Sequence, residues 1–148
     1  MPPSASVPHT RWTRVRAAVN WVNLSTPLGL LVARLGGARP VRHDRGTWLA
    51  DGYRPGFPRA GAFTLGNVVI SGKSRDDLLR RPALLRHEDR HCTQYAFCLG
   101  PVMLVPYVLA VAVSWVVAAD HSSYNPFERL ARLDEGGYPE PRPRWRHP

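Results

Sequence analysis

The sequence predicts an α+β fold, mostly α: a small antiparallel β-hairpin, a helix bearing an H-E-x-x-H string, a hydrophobic partner helix and a short C-terminal helix that carries Glu128. Three observations predict it. Residues 17–35 and 82–99 show helical apolar spacing with helix start and stop signals. β-Branched and aromatic residues in 47–53 and 62–71, bounded by Gly- and Pro-rich turn signals, give the chain's only clear β-structure. Residues 99–119 form a stretch without a single charge.

Taken in order, residues 1–16 (MPPSASVPHTRWTRVR) and 136–148 (GGYPEPRPRWRHP) have the Pro, Arg, Gly and Ser content of disordered basic tails. That leaves 17–135 as a single folding unit, in keeping with a length of 148 residues. Residues 17–35 read as two short apolar helices broken at Ser25-Thr26-Pro27, the second stopped by Gly36-Gly37. Residues 47–53 and 62–71 read as strands, and the RPGFPRAG stretch between them as a loop. Ser74, with Asp77 three residues on, has the form of a capping box and starts a helix. Pro82 suits the first turn of the next helix, which runs to about residue 99 and carries His87-Glu88-Asp89-Arg90-His91. As one straight helix, 99–119 would reach about 31 Å, enough to cross a bilayer. Pro101 and Pro106 are expected to shorten the unbroken part to 107–119, about 20 Å, the length of a core helix or a re-entrant segment. Asn125-Pro126-Phe127-Glu128 opens a last short helix, ended by Gly136-Gly137.

The net charge of +9 is almost wholly arginine, because Lys73 is the only lysine. Basic ends of this kind are solvated, or meet anionic lipid headgroups at a membrane surface. No RNA- or DNA-binding motif with interleaved aromatics accompanies the charge, so no specific nucleic acid partner is expected. Cys92 and Cys98, six positions apart on one helix, are too far apart to bridge and read as small buried fillers. The apolar stretch beyond the first basic residues is interrupted by Asn20, Asn23, Ser25, Thr26 and Pro27, and no cleavage site follows. A signal peptide is therefore not expected, and the location expected is membrane-associated or cytoplasmic.

The H-E-x-x-H string carries the chemistry. Helix positions four apart share a face, so His87 and His91 can grip one metal ion with Glu88 beside it. A catalytic zinc site needs three protein ligands and one open position, and the candidates for the third are Asp120, His121 and Glu128. Each residue also has a structural role open to it. His87 and His91 continue through Gln94 and Cys98 as a polar stripe, Glu128 stands where a capping-box glutamate reaches back to Asn125, and Asp120 and His121 suit the end of an apolar helix.

The string, the strand before it and the N-P-F-E-R-L-A helix after it make residues 62–131 resemble the H-E-x-x-H zinc metallopeptidases, or zincins. The subgroup they resemble is the gluzincins, in which a later glutamate completes the site. That resemblance implies Zn2+ as cofactor, His87, His91 and Glu128 as its ligands, and Glu88 as the catalytic base that activates water at the zinc. Together with the apolar run 99–119, it leads to the expectation of a membrane-associated peptidase whose peptide or protein substrate lies along 62–71 as an added edge strand. The chain departs from the thermolysin-like pattern: no N-E-x-x-S-D follows, and Glu128 stands 37 positions after His91. The longer metzincin pattern is absent too, since Gln94 and Phe97 hold its later places. Two other classes fit the composition: a non-catalytic membrane or scaffold protein with a structural or fortuitous H-E-x-x-H, and a basic-tailed interaction module. If 99–119 crossed a bilayer, Glu128 would be carried away from the imidazoles, so ligation by Glu128 requires an antiparallel hairpin turning near Leu99-Gly100-Pro101.

Overall fold

The structure is a computed structural model that describes residues 10–138 together with 141, 143 and 145. Residues 1–9 and most of 139–148, both expected as tails, lie outside the described residues. Helix α1 (Arg11–Val22) starts at Thr10, whose hydroxyl accepts the Thr13 N–H at 3.2 Å. Residues 11–16, assigned by composition to a tail, are thus the first half of a helix. Its inward face is polar, made by Thr13, Arg16 and Asn20, which apolar periodicity does not detect. Helix α2 (Ser25–Leu35) follows after Leu24, at φ 68°. The break falls at Asn23-Leu24 instead of Ser25-Thr26-Pro27, because Asn23 Oδ1 accepts from the Ser25 amide at 3.0 Å and its hydroxyl at 2.6 Å. Pro27 then sits in a first turn, where a missing N–H costs nothing.

Four strands form one mixed sheet: β1 (Arg39–Arg42), β2 (Trp48–Asp51), β3 (Phe63–Leu65) and β4 (Val68–Ile70), in the order β1-β2-β4-β3. β1 is antiparallel to β2, β2 parallel to β4 with Leu49 opposite Val69, and β3 antiparallel to β4 with Thr64 opposite Val69. The α+β, mostly α class holds, but the β part is more than a hairpin. Residues 62–71 are themselves two strands around a turn at Gly66-Asn67, and the exposed edge strand Arg-Pro-Val-Arg has no apolar alternation to announce it. α2 lies against the β3–β4 turn so closely that a Cβ on Gly29 would come 2.4 Å from the Leu65 carbonyl oxygen. Leu30, Ala33, Val68, Ile70, Tyr95 and Met103 fill the core on this side, while Leu49, Val69, Leu78 and Leu84 form a second cluster.

Ser74 caps α3 (Arg75–Leu79), its hydroxyl accepting the Asp77 N–H at 3.3 Å, and Pro82 opens α4 (Pro82–Phe97). The chain turns through Leu99 and Gly100, at φ 58° and 69°, enters a 3-10 turn (Gly100–Met103), and continues into α5 (Leu104–Ala118). Neither proline breaks this run. Pro101 is in the 3-10 turn and Pro106 in the first turn of α5, where no i−4 bond is lost. Gly100–Ala118 is therefore 19 residues of continuous helix with mean hydropathy 2.1 and only 11 % burial, long and apolar enough to cross a membrane. Asp120 accepts from the Ser122 and Ser123 amides at 2.8 and 2.6 Å, closing the loop that leads back to α6 (Pro126–Leu130) and α7 (Leu133–Gly136).

Candidate metal centre

α4 turns His87, Glu88, His91, Cys92 and Tyr95 inward. The charges interleaved with them, Asp89 and Arg90, are half-buried and paired. Asp89 pairs with the buried Arg16 at 2.8 Å and with Arg45 at 3.3 Å, fixing α4 to α1. Arg90 pairs with Glu135 and donates to the Ala131 carbonyl at 3.1 Å, while Arg86 meets Glu135 at 3.4 Å. The string is clamped from two sides, and the histidine face is aimed at α6.

There, Glu128 Oε2 lies 3.0 Å from His87 Nε2 and 3.4 Å from His91 Nε2, and the two Nε2 atoms are 3.2 Å apart. All three side chains are buried, and their ligand atoms lie within 4.8 Å of one another, close enough to hold a metal ion. The outer nitrogens are committed elsewhere: His87 Nδ1–H donates to the Arg132 carbonyl at 2.9 Å, and His91 Nδ1–H to Gln94 Oε1 at 2.8 Å. Gln94 Nε2 donates in turn to the Phe127 carbonyl at 2.8 Å, and the Tyr107 hydroxyl donates to Glu128 Oε1. These bonds leave both Nε2 atoms facing the centre, the nitrogens a ligating histidine would use once deprotonated. Gly136 is required beside His87, since a Cβ there would lie 2.8 Å from the ring.

Without a metal the cluster is a buried ion pair. Burial opposes a proton on His91, but the Glu128 hydrogen bond and the charges of Glu88 and Glu128 outweigh it and raise the imidazole to about 9. His87 is raised by the same contest between burial and Glu128, against the like charge of His91. Burial also opposes charge on Glu128, yet hydrogen bonds from His87 and His91 hold its carboxyl well below the usual range.

Glu88 faces the same space. Its Oε2 accepts the Thr64 hydroxyl at 2.7 Å, and burial pushes its carboxyl upward against the pull of His91 and the Thr64 hydrogen bond. Glu88, His91 and Glu128 line one cleft of about 510 Å³, whose walls are otherwise mostly apolar and come chiefly from β3, α5 and the loop around Phe57-Pro58.

Of the three candidates for a third ligand, the fold brings only Glu128 to the imidazoles. Asp120 is spent on its loop, and His121 lines the cleft with its ring edge-on to Tyr138 at 5.0 Å. Glu128 does not reach back as a capping-box residue, for Asn125 caps α6 unaided and its amide bonds the Ser122 carbonyl. Cys92 and Cys98 are free, and burial holds the Cys92 thiol up at about 12. The free edge beside the site is Phe63–Leu65 alone, not all of 62–71, because β4 is paired on both sides. Sequence reasoning missed Thr64, Tyr107 and Tyr138. Only Gln94 left a trace, as the next member of the polar stripe. Comparison with family models, with curated proteins and with solved structures finds no match to this chain.

Proposed function

We propose that the protein is a zinc-dependent hydrolase of peptide bonds, in which His87, His91 and Glu128 hold the ion and Glu88 is the general base. The observation that carries this reading is the convergence of two Nε2 atoms and one carboxylate oxygen within 4.8 Å while both Nδ1–H groups are tied outward. Two imidazoles and a carboxylate suit zinc and leave a coordination position open. Bound there, zinc would polarise the scissile carbonyl and make water acidic enough to attack near neutral pH. Glu88, its proton affinity raised by burial, takes the proton of the attacking water and returns it to the leaving amine. Thr64 steadies Glu88 from strand β3, and the free edge of β3 offers backbone groups to an extended peptide.

The test has two arms. Metal analysis of the purified chain should find about one zinc per chain, lost in His91→Ala; equally negligible zinc in both proteins sinks the metal reading. Glu88→Gln should keep the zinc and abolish hydrolysis in a peptide-library screen, and undiminished turnover would remove Glu88 as the base. A second reading, a non-catalytic structural cluster, is favoured by how well the metal-free triad satisfies itself, with His87, His91 and Tyr107 all bonded to Glu128. It predicts a folded chain with no zinc and no turnover.

A further inference from the structure

α5 carries an exposed stripe at Val105, Leu109, Ala112, Val113 and Val116, spaced i, i+4, i+7, i+8, i+11. This is the spacing of a core-facing helix side, yet here it faces outward. Leu109, Val113 and Val116 are 63, 55 and 72 % exposed. The opposite side is fixed to the protein by polar bonds along its length: Tyr107 to Glu128 near one end, and the Ser114 hydroxyl, which accepts the Tyr124 N–H at 2.9 Å, near the other.

We propose that this outer stripe docks the protein on an anionic lipid bilayer, with α5 lying along the membrane and its stripe in the hydrocarbon. Four observations select lipid over a protein partner. No Asp, Glu, Lys or Arg occurs anywhere from 91 to 119, so the stripe lacks the charged and polar rim that borders a protein–protein interface. At 19 residues the helix is about 28 Å long, so the apolar face is far larger than a soluble monomer leaves in water. The apolar surface continues past the 3-10 turn onto Leu99, 74 % exposed, and Phe97, whose ring stacks on Trp12 at 5.3 Å; aromatic rings at such a margin suit the headgroup level. Arg11 and Arg14 are exposed on either side of Trp12 in a chain of net charge +9, which anionic headgroups complement. A span is not what this geometry builds, because the polar bonds of Tyr107 and Ser114 keep the body of the protein along the inner side of α5. Docking by the outer side leaves the cleft, walled by the inner side of the same helix, at the membrane surface.

The experiment is flotation of the purified full-length chain with vesicles of phosphatidylcholine, with and without phosphatidylglycerol. The wild-type chain should float with the mixed vesicles, and its tryptophans should be quenched by lipids brominated on the acyl chains. Leu109→Glu/Val113→Glu should lower the bound fraction at least about tenfold while keeping the helical circular dichroism of the parent. Flotation of this variant equal to the parent's would assign binding to the arginines alone and overturn the proposal. Failure of the parent to float would overturn it too, as would a stable dimer that buries α5 and leaves no vesicle-bound fraction. Should the double variant fail to fold, acyl-chain quenching of the parent decides, since binding through headgroups alone leaves the tryptophans unquenched. The assay needs neither zinc nor turnover, so its outcome is separate from that of the hydrolase reading.

Discussion

Tyr107 and Gln94 orient the groups that the proposed metal centre would use as ligands. Tyr107 holds one oxygen of Glu128 and leaves the other to the imidazoles, while Gln94 ties His91 to the backbone of α6. Groups that orient ligands in this way set metal affinity, typically by about 10- to 100-fold. Tyr107→Phe, which removes a hydroxyl and little volume, should therefore weaken zinc binding by at least about tenfold with the fold intact, as read by competition with a chromophoric chelator. An unchanged affinity would mean that α6 alone positions Glu128.

At the scale of elements, the frame around the site is held by charge on the flanks of α4. Arg16 is 1 % exposed, and its two terminal NH2 groups bond the Asp89 carboxylate, the Asp89 carbonyl at 3.1 Å and Thr93 Oγ1 at 3.2 Å, while its Nε is buried without a partner. Asp89→Ala strands that cation in the interior, which should cost about 3–5 kcal/mol in urea unfolding. A loss within the range of a surface pair, under about 1 kcal/mol, would show that water reaches Arg16 after all. This same contact explains what the sequence could and could not reveal. The H-E-x-x-H helix, the caps Ser74 and Asn125, and the pairing of His87 with His91 are local patterns a few residues long, and all were legible. The packing of Asp89 and Arg90 is not legible in the sequence, because their partners, Arg16 and Glu135, lie far off in the chain. The sheet order was hidden for a like reason: β2 and β4 are both apolar, and nothing in either says that they pair in parallel. α1 was mistaken in part for a tail because the face it buries is Thr13, Arg16 and Asn20, invisible to any count of apolar residues.

For the whole molecule, the proposed metal would compete with protons for one cluster. With His91 raised to about 9, the metal-free protein carries a proton there that a bound ion would displace at neutral pH. Zinc binding at pH 7 should release at least about one proton, measured by calorimetry in buffers of different ionisation enthalpy, and affinity should rise from pH 6.5 toward 9. The metal-free fold moves the other way. A folded pKa above the unfolded value stabilises fully below 6.5, and that contribution is lost as pH climbs through about 9. Thermal melts with chelator and with zinc should accordingly diverge as pH rises; parallel curves would place the ion elsewhere.

The route by which Glu128 reaches the imidazoles has a consequence for the order of synthesis. His87, Glu88 and His91 leave the ribosome together on one helix, and 37 positions pass before the carboxylate that completes their grip emerges, with all of α5 in between. A nascent chain that ends anywhere short of Glu128 holds Glu88 and two imidazoles but lacks the carboxylate that closes the cluster. On the proposed reading, the site would stay incomplete until the apolar helix has found its place and the chain has folded back beside it.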